Sequence, residues 1–307
     1  MALRILSTLI MLIVASNPLA AQQNPDFLVP SEWLEEHIED DNLIVLEVRY
    51  YPHRYFTIGH IPGAVQVQRF KDLGDNESDS LMEFPSRDAL QATLRRWGVN
   101  DDSTLVLYDD SNTALASRLY YLLDLYGFEM SRVKLLDGGV LGWQDFNDLS
   151  QEDPEIATGD VTLTDADQSK MVSWQFVYDK IVSRREDRFI LLDARPEQHY
   201  TGEILSHAPR GGHIPGAVNI VSLSGTNPDA TWKSQSELAE MYADLPKDKT
   251  IVAYCHDGFR MSLAYMQLKS LGFKDVRLLN GGWGFWGNKY SLPIVEGFEP
   301  FDENFDL

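Results

Sequence analysis

The stretch Gly59-His-Ile-Pro-Gly-Ala64 decides the fold of this 307-residue chain, because it occurs a second time as Gly212-His-Ile-Pro-Gly-Ala217. Each copy follows an apolar run that ends in an acidic residue, one further residue and an arginine: Leu43-Ile-Val-Leu-Glu-Val-Arg49 and Phe189-Ile-Leu-Leu-Asp-Ala-Arg195. Within the stretch, proline fixes one backbone dihedral and glycine allows a positive φ. We therefore expect two turns that follow buried strands, with structural histidines.

The rest of each copy matches the other in the same order. Thr104-Leu-Val-Leu-Tyr108 corresponds to Thr250-Ile-Val-Ala-Tyr254, and Val133-Lys-Leu-Leu-Asp-Gly-Gly139 corresponds to Val276-Arg-Leu-Leu-Asn-Gly-Gly282. A fixed order of matched segments is the signature of an internal repeat, in which each copy forms one structural unit. The chain is therefore predicted to be a duplication.

Short β-rich apolar runs alternate with helical patterns in each copy. Strands that are apolar throughout are buried on both faces, which favours a mostly parallel sheet flanked by helices. The predicted fold class is α/β, with two tandem domains over residues 24–148 and 171–299. The segment 149–170 is rich in Asp, Glu, Ser and Thr and is predicted to be the linker.

Residues 1–21 have the three regions of a secretory signal peptide. Arg4 precedes an apolar stretch from Ile5 to Val14, and small residues follow as far as Ala21. The apolar stretch is too short for a membrane-spanning helix. We expect this segment to be removed and the protein to be periplasmic, without membrane association after cleavage. An uncleaved N-terminal anchor is the alternative.

The composition excludes several classes of function. With 47 acidic and 26 basic residues the formal net charge is −21, which argues against nucleic acid and anionic membranes as partners, since both select basic surfaces. The 7 histidines are scattered, and the sequence has neither the ligand spacing of metal sites nor the glycine fingerprints of dinucleotide and phosphate sites. We therefore expect no metal and no organic cofactor.

The single cysteine, Cys255, opens the segment Cys255-His-Asp-Gly-Phe-Arg260 directly after a β-rich run. The residues from Met261 to Leu271 then have a helical pattern. A thiol between a buried strand and a helix N-terminus lies among backbone N–H groups and near the positive end of the helix dipole, and both favour the thiolate. Cys255 is therefore predicted to be a nucleophile; the alternative is an inert buried side chain.

The residues after Cys255 suit an anion-binding loop. Gly258 is expected to adopt a positive φ, and Arg260 either to pair with the anionic group of a substrate or to brace the loop. Asp257 would repel a dianion. The predicted cradle consists of His256, Asp257, Gly258, Phe259 and Arg260.

Taken in order, these segments resemble the rhodanese family. Phe56-x-x-x-His60-Ile-Pro-Gly-Ala64-x-x-Val67 is similar to its N-terminal signature, and the succession of strand, HIPGA turn, strand, cysteine loop, helix and Asp/Asn-Gly-Gly is that of a rhodanese domain. The resemblance covers nearly all of the chain after the leader, twice, and implies a tandem-domain sulfurtransferase. In such enzymes the N-terminal copy is typically inert, and here it has Asp109 where the second copy has Cys255.

The resemblance implies transfer of a sulfane sulfur through a persulfide on Cys255. The donor would be a small anion, thiosulfate or 3-mercaptopyruvate, and the acceptor would be cyanide or a thiol. Arg195 matches the first arginine of the family's donor-binding pattern Asp-x-Arg-x-x-x-Arg, and His199 replaces the second. The loop has neither the Cys-Arg-Lys-Gly form associated with thiosulfate nor the Cys-Gly-Ser-Gly form associated with 3-mercaptopyruvate, so the donor stays open.

Two other functions fit parts of the pattern. A non-catalytic sulfur carrier or interaction module would use the same fold, since folds host many functions. A cysteine-dependent phosphatase of the cell-cycle type has a similar loop but places five residues between cysteine and arginine, whereas here the four residues His256 to Phe259 separate Cys255 from Arg260. Persulfide formation on Cys255 distinguishes these alternatives from a sulfurtransferase.

Overall fold

Two parallel β-sheets form the framework of the computed structural model, which describes residues 24–78, 82–205 and 207–302. The first sheet contains β1 (Leu28–Val29), β2 (Leu43–Val48), β3 (Val65–Val67), β4 (Thr104–Asp109) and β5 (Val133–Leu136). The second contains β6 (Met171–Val172), β7 (Phe189–Asp193), β8 (Ala217–Asn219), β9 (Thr250–Tyr254) and β10 (Val276–Leu279).

The two sheets have the same topology. Their strand orders are β1-β5-β4-β2-β3 and β6-β10-β9-β7-β8, and every pairing between neighbouring strands is parallel. Each strand of the second copy thus takes the place of its counterpart in the first. This arrangement confirms the predicted α/β fold with two tandem domains.

Helices connect the strands in both copies. They are α1 (Ser31–His37), α2 (Arg54–Thr57), α3 (Arg69–Asp72), α4 (Arg87–Arg96), α5 (Ala114–Leu125), α6 (Gly139–Gln144), α7 (Trp174–Phe176), α8 (Glu197–Thr201), α9 (Gln235–Met241), α10 (Phe259–Ser270) and α11 (Gly282–Trp286). Short 3-10 turns cover Met130–Arg132 and Ser222–Gly225, and a π-helical segment, Val177–Ser183, continues α7.

The central strands β4 and β9 each lead to a candidate functional residue, Asp109 in the first sheet and Cys255 in the second. The apolar side chains of both strands are buried, as expected for strands covered on both faces. Asp109 is the last residue of β4, and Cys255 directly follows β9. A short loop then leads from β4 to α5 and from β9 to α10, so both residues lie where ligands bind open parallel sheets.

The two HIPGA turns are held by their histidines. The Nδ1 of His60 lies 3.1 Å from the carbonyl oxygen of Tyr55, and the two rings stack at 3.7 Å between centroids. His213 repeats the arrangement on Tyr200, at 2.9 Å and 3.8 Å. Both histidines are fully buried. They therefore have the structural role that the sequence indicates.

The two domains meet through α5 and α10, which pack against each other. The rings of Tyr121 and Tyr265 lie 5.0 Å apart across this contact, and the hydroxyl of Tyr265 donates to Asp124. A further bond joins the domains where the backbone N–H of Phe84 donates to Oδ1 of Asn280 at 2.7 Å. Because α5 and α10 both start at the candidate loops, the interface borders the site.

The segment 149–170, predicted to be the linker, has no helix or strand among its residues, all of which are described. It is nevertheless attached to the N-terminal domain. The N–H of Gly159 donates to the carbonyl of Arg95 at 2.8 Å, and the N–H of Val161 donates to that of Val99 at 3.1 Å. The side chain of Val161 is buried. The segment therefore packs onto the N-terminal domain and is not a free linker.

The predicted signal peptide, residues 1–21, lies outside the described residues. Within the part of the chain that is described, we find no helix with the length and apolar character needed to cross a membrane.

Candidate active site at the cysteine loop

Cys255 lies in the loop between β9 and α10, and its side chain is fully buried. The backbone N–H of Gly258 donates to Sγ at 3.1 Å. The turn before α11 supports the loop, because the N–H of Trp283 donates to the carbonyl of Cys255 at 2.8 Å and that of Gly284 to His256 at 2.9 Å. Strand, helix and turn thus give the thiol a defined position.

Two glycines allow this close packing. Gly258 has a φ of +98°, the positive value that the sequence predicts, and a Cβ at this position would overlap the guanidinium of Arg118. Gly282 has a φ of +49°, and its Cβ would overlap the carbonyl oxygen of Cys255. Larger residues at either position would displace the cysteine loop.

The pKa of the thiol differs from the expectation. The sequence predicts a lowered pKa for Cys255, but burial raises it above the ordinary value for a cysteine. Arg260 and the N–H groups of Met261 and Gly258 oppose the rise, and Asp257 adds to it. The loss of water around a fully buried thiol therefore outweighs the donors of the loop, so the thiol is mostly protonated at neutral pH.

The first domain has a carboxylate at the matching place. One oxygen of Asp109 accepts the N–H groups of Ser111 and Thr113 at 2.8 and 2.9 Å, and the other accepts those of Leu115 and Ala116 at 2.7 and 2.9 Å. Burial raises the pKa of Asp109 to about 6, while these N–H groups oppose the rise. At neutral pH the loop of the first domain therefore holds an anion of its own.

A cavity of about 1230 Å³ lies over the cysteine loop, with walls from both domains. Of the predicted site residues, those that line it are His199, His256, Asp257, Phe259 and Arg260. The N-terminal domain contributes, among others, Tyr50, Arg69, Phe70, Ser111 and Leu115. Cys255 and Gly258 lie beneath this lining, fully or almost fully buried. The structure thus brings most of the predicted loop to one cavity. The sequence did not predict that this cavity lies between the two domains.

Arg195 lies beneath the cavity. Its guanidinium is buried and donates to both oxygens of Asp193, at 2.9 and 2.6 Å, and to the carbonyl of Gly212 at 2.7 Å. It also lies 4.4 Å from the ring centroid of Trp283. These contacts use its donors to tie the strand end to the HIPGA turn, so Arg195 supports the site from below and does not line the cavity.

Two histidines at the cavity are neutral at neutral pH. Burial, Arg260 and Arg195 lower the pKa of His199 below its ordinary value. Burial and the same two arginines lower the pKa of His256 to about 4, against the opposite effect of Asp257. His199 therefore does not supply the permanent charge of the arginine that it replaces.

Comparison with known proteins agrees with this architecture. The rhodanese-like domain family matches the chain twice, over residues 30–146 and 178–289. The chain belongs to the rhodanese family. The first match contains β2 to β5, and the second contains β7 to β10 together with the cysteine loop.

Several relatives are similar over nearly the whole chain. The sulfur carrier protein TtuD of Thermus thermophilus is 35% identical and the alignment covers 90% of this chain and 99% of the relative. A thiosulfate sulfurtransferase of Corynebacterium glutamicum is 32% identical, with coverage of 89% and 92%.

Two solved structures are also similar. SseA of Escherichia coli, a 3-mercaptopyruvate sulfotransferase, superimposes with a TM-score of 0.73 at 28% identity, covering 84% of this chain and 98% of that one. The wild-type structure of EanB has a TM-score of 0.78 at 24% identity, covers 89% of this chain and 69% of that one, and shows the shared fold alone.

Sequence reasoning missed Arg118, a buried residue of α5 in the first domain. Its guanidinium donates to the carbonyls of Leu73 and Met82 at 3.1 and 3.0 Å, and its Nη1 lies against Gly258 without a hydrogen-bond partner. Burial lowers its pKa to about 10, although the charges of Cys255 and other groups raise it. A cation from one rhodanese domain thus supports the cysteine loop of the other, a contact with no local sequence signal.

Among the residues that the structure describes, no group of three or more His, Cys, Asp or Glu side chains has the arrangement of a metal site.

Proposed function

We propose that this chain is a sulfurtransferase that carries a sulfane sulfur on Cys255 from a small anionic donor to a thiophilic acceptor. Relatives named thiosulfate sulfurtransferase and 3-mercaptopyruvate sulfotransferase support the class of reaction. The buried thiol beneath a cavity with a cationic residue, Arg260, supports it as well. The donor is either thiosulfate or 3-mercaptopyruvate, and the acceptor is cyanide or a thiol.

The observation that carries the proposal is the comparison of the two duplicated loops. Thr113 and Gly258 precede α5 and α10 with the same left-handed backbone, and their N–H groups donate to Asp109 and Cys255 respectively. A carboxylate oxygen stands one bond beyond the place of the cysteine sulfur, where the outer sulfur of a persulfide would stand. Backbone N–H groups of the first loop thus bind an anion at that distance, which supports binding of a persulfide anion by the corresponding N–H groups of the second loop.

The first chemical step loads the sulfur. The thiolate of Cys255 attacks the sulfane sulfur of the donor, a bond forms between Sγ and that sulfur, and the donor's bond to the sulfur breaks. The leaving group, sulfite or the enolate of pyruvate, departs with the electron pair. Because the thiol is mostly protonated at neutral pH, we expect this step to accelerate as the pH rises.

The second step unloads it. The acceptor attacks the outer sulfur, the S–S bond breaks, and Sγ of Cys255 leaves with the electron pair. Negative charge lies near the loop in both steps, and one well-placed N–H donor contributes roughly 3 to 4 kcal/mol in other enzymes. Gly258 and Met261 are placed to supply such donors.

A sulfur carrier that delivers the sulfur of its persulfide to a partner protein is the second candidate. TtuD, at 35% identity, is named a sulfur carrier protein. Carrier and enzyme share the loading step on Cys255 and differ in the acceptor. They are distinguished by whether small thiols and cyanide unload the persulfide in many turnovers or only a protein acceptor does.

Intact-mass spectrometry after incubation with each donor tests the loading step. The wild type should gain one sulfur atom with thiosulfate or with 3-mercaptopyruvate, and subsequent cyanide should remove it. Cys255→Ser should remain unmodified and folded, because its hydroxyl is similar in size but forms no persulfide. Absence of the adduct in the wild type with both donors, or its presence in the serine variant, contradicts the proposal.

A further inference from the structure

Arg69 lies at the wall of the cavity that the N-terminal domain provides. It begins α3, and its guanidinium carbon is 3.8 Å from the ring centroid of Tyr50 and 4.3 Å from that of Phe70. The ring of Phe259, in the cysteine loop, is 6.0 Å away. The domain without a thiol thus holds a cation between aromatic rings close to the reacting loop.

The charge of Arg69 has no polar partner in the described part of the chain, residues 24–78, 82–205 and 207–302, where its contacts are with aromatic rings. The cavity is lined by three cations, Arg69, Arg260 and Lys289, against two acids, Glu83 and Asp257. The whole chain, in contrast, has a net charge of −21. A cationic lining in an acidic protein concentrates anionic ligands.

The size of the cavity indicates what kind of anion it receives. Its volume of about 1230 Å³ exceeds the roughly 300–1,000 Å³ of sites that hold drug-sized ligands. Thiosulfate, 3-mercaptopyruvate and cyanide are much smaller than such ligands. The volume of the cavity and the cation on its N-terminal wall, Arg69, therefore fit a larger substrate. Such a substrate would enter after the donor has left.

We propose that Arg69, with Tyr50 and Phe70, forms an acceptor subsite that binds a carboxylate of a peptide-sized thiol. This rests on the sulfurtransferase function proposed above. The subsite holds the carboxylate while the acceptor thiolate attacks the outer sulfur of the Cys255 persulfide. A new S–S bond forms on the acceptor, and Sγ of Cys255 leaves with the electron pair.

Steady-state kinetics with two acceptors test the subsite. Glutathione carries carboxylates on a tripeptide, and 2-mercaptoethanol is neutral and small. Arg69→Gln should raise KM for glutathione about tenfold or more, since a hydrogen bond to a charged group contributes on that order, and leave KM for 2-mercaptoethanol unchanged. Arg69→Lys should restore part of the effect. Arg54→Gln is the matched control, because Arg54 also lies over a tyrosine ring but outside the cavity.

The loading step and direct binding separate this proposal from the proposed function. At saturating donor, single-turnover persulfide formation on Cys255 should have the same rate in the wild type and in Arg69→Gln. Calorimetry with S-methylglutathione, which cannot accept sulfur, should show binding that weakens about tenfold in the same variant, whether or not a persulfide forms. No binding to the wild type at millimolar concentration, equal effects on both acceptors, or a slowed loading step would overturn the acceptor subsite.

Discussion

We expect Asp109→Ala to destabilise the protein strongly, although the first loop has no thiol. Its carboxylate accepts four backbone N–H groups, from Ser111, Thr113, Leu115 and Ala116. A buried donor left without a partner costs about 1–3 kcal/mol. The four N–H groups share one carboxylate, and the loop relaxes when it is removed, so we take a cost of about 1 kcal/mol for each donor. The expected loss in the free energy of unfolding is then roughly 4 kcal/mol.

Urea unfolding followed by tryptophan fluorescence measures this loss. Trp232 is a suitable probe, since its Nε1–H donates to the hydroxyl of Thr113 at 2.8 Å. Asp110→Ala is the control: this neighbouring, partly exposed carboxylate accepts the N–H of Tyr50, and its loss should cost less than about 1 kcal/mol. Persulfide formation per folded molecule should be unchanged in both variants. Equal destabilisation by the two substitutions would refute the reasoning.

Further predictions concern the loop, the donor site and export. Gly258→Ala should abolish persulfide formation, because its positive φ and the contact with Arg118 exclude a Cβ; Gly297→Ala, at a positive φ with open space, should keep the activity. His199→Arg should lower the donor KM at pH 7 to 8, where the lowered pKa leaves the histidine uncharged. In the wild type, the donor KM should fall only below about pH 6.5. An unchanged KM in the variant would show that His199 does not contact the donor. A periplasmic fraction should contain a chain that begins near Gln22, as its mass would show; a soluble chain that retains Met1 contradicts the predicted signal peptide.

The fold was predictable because its information is local and occurs twice. The HIPGA turns and the apolar runs before them identify β2, β7 and the central strands, and the burial of these strands follows from their composition. The packing of residues 149–170 was not predictable in the same way. Val161 is apolar among acidic and small residues, and nothing in that composition shows that its N–H pairs with Val99.

The loop of Cys255 was predictable for the same reason, since strand, thiol, glycine, arginine and helix are adjacent in the sequence. What depends on the rest of the molecule was missed. The pKa of the thiol is set by burial under both domains, and Arg195 is engaged by a carboxylate and a turn that surround it. Arg118 and Arg69 belong to the other copy, so that only the assembled interface reveals them.

The support of Gly258 by Arg118 divides labour between the halves of the molecule. In the proposed sulfurtransferase, the C-terminal half carries the reacting thiol, and the N-terminal half, which has Asp109 in place of a cysteine, packs against the cysteine loop and lines part of the cavity. The cysteine loop of the second copy therefore packs against a residue that only the first copy supplies. Substitutions in the N-terminal wall of the cavity can therefore change which molecules enter it, without altering the loop in which we propose the sulfur chemistry of Cys255.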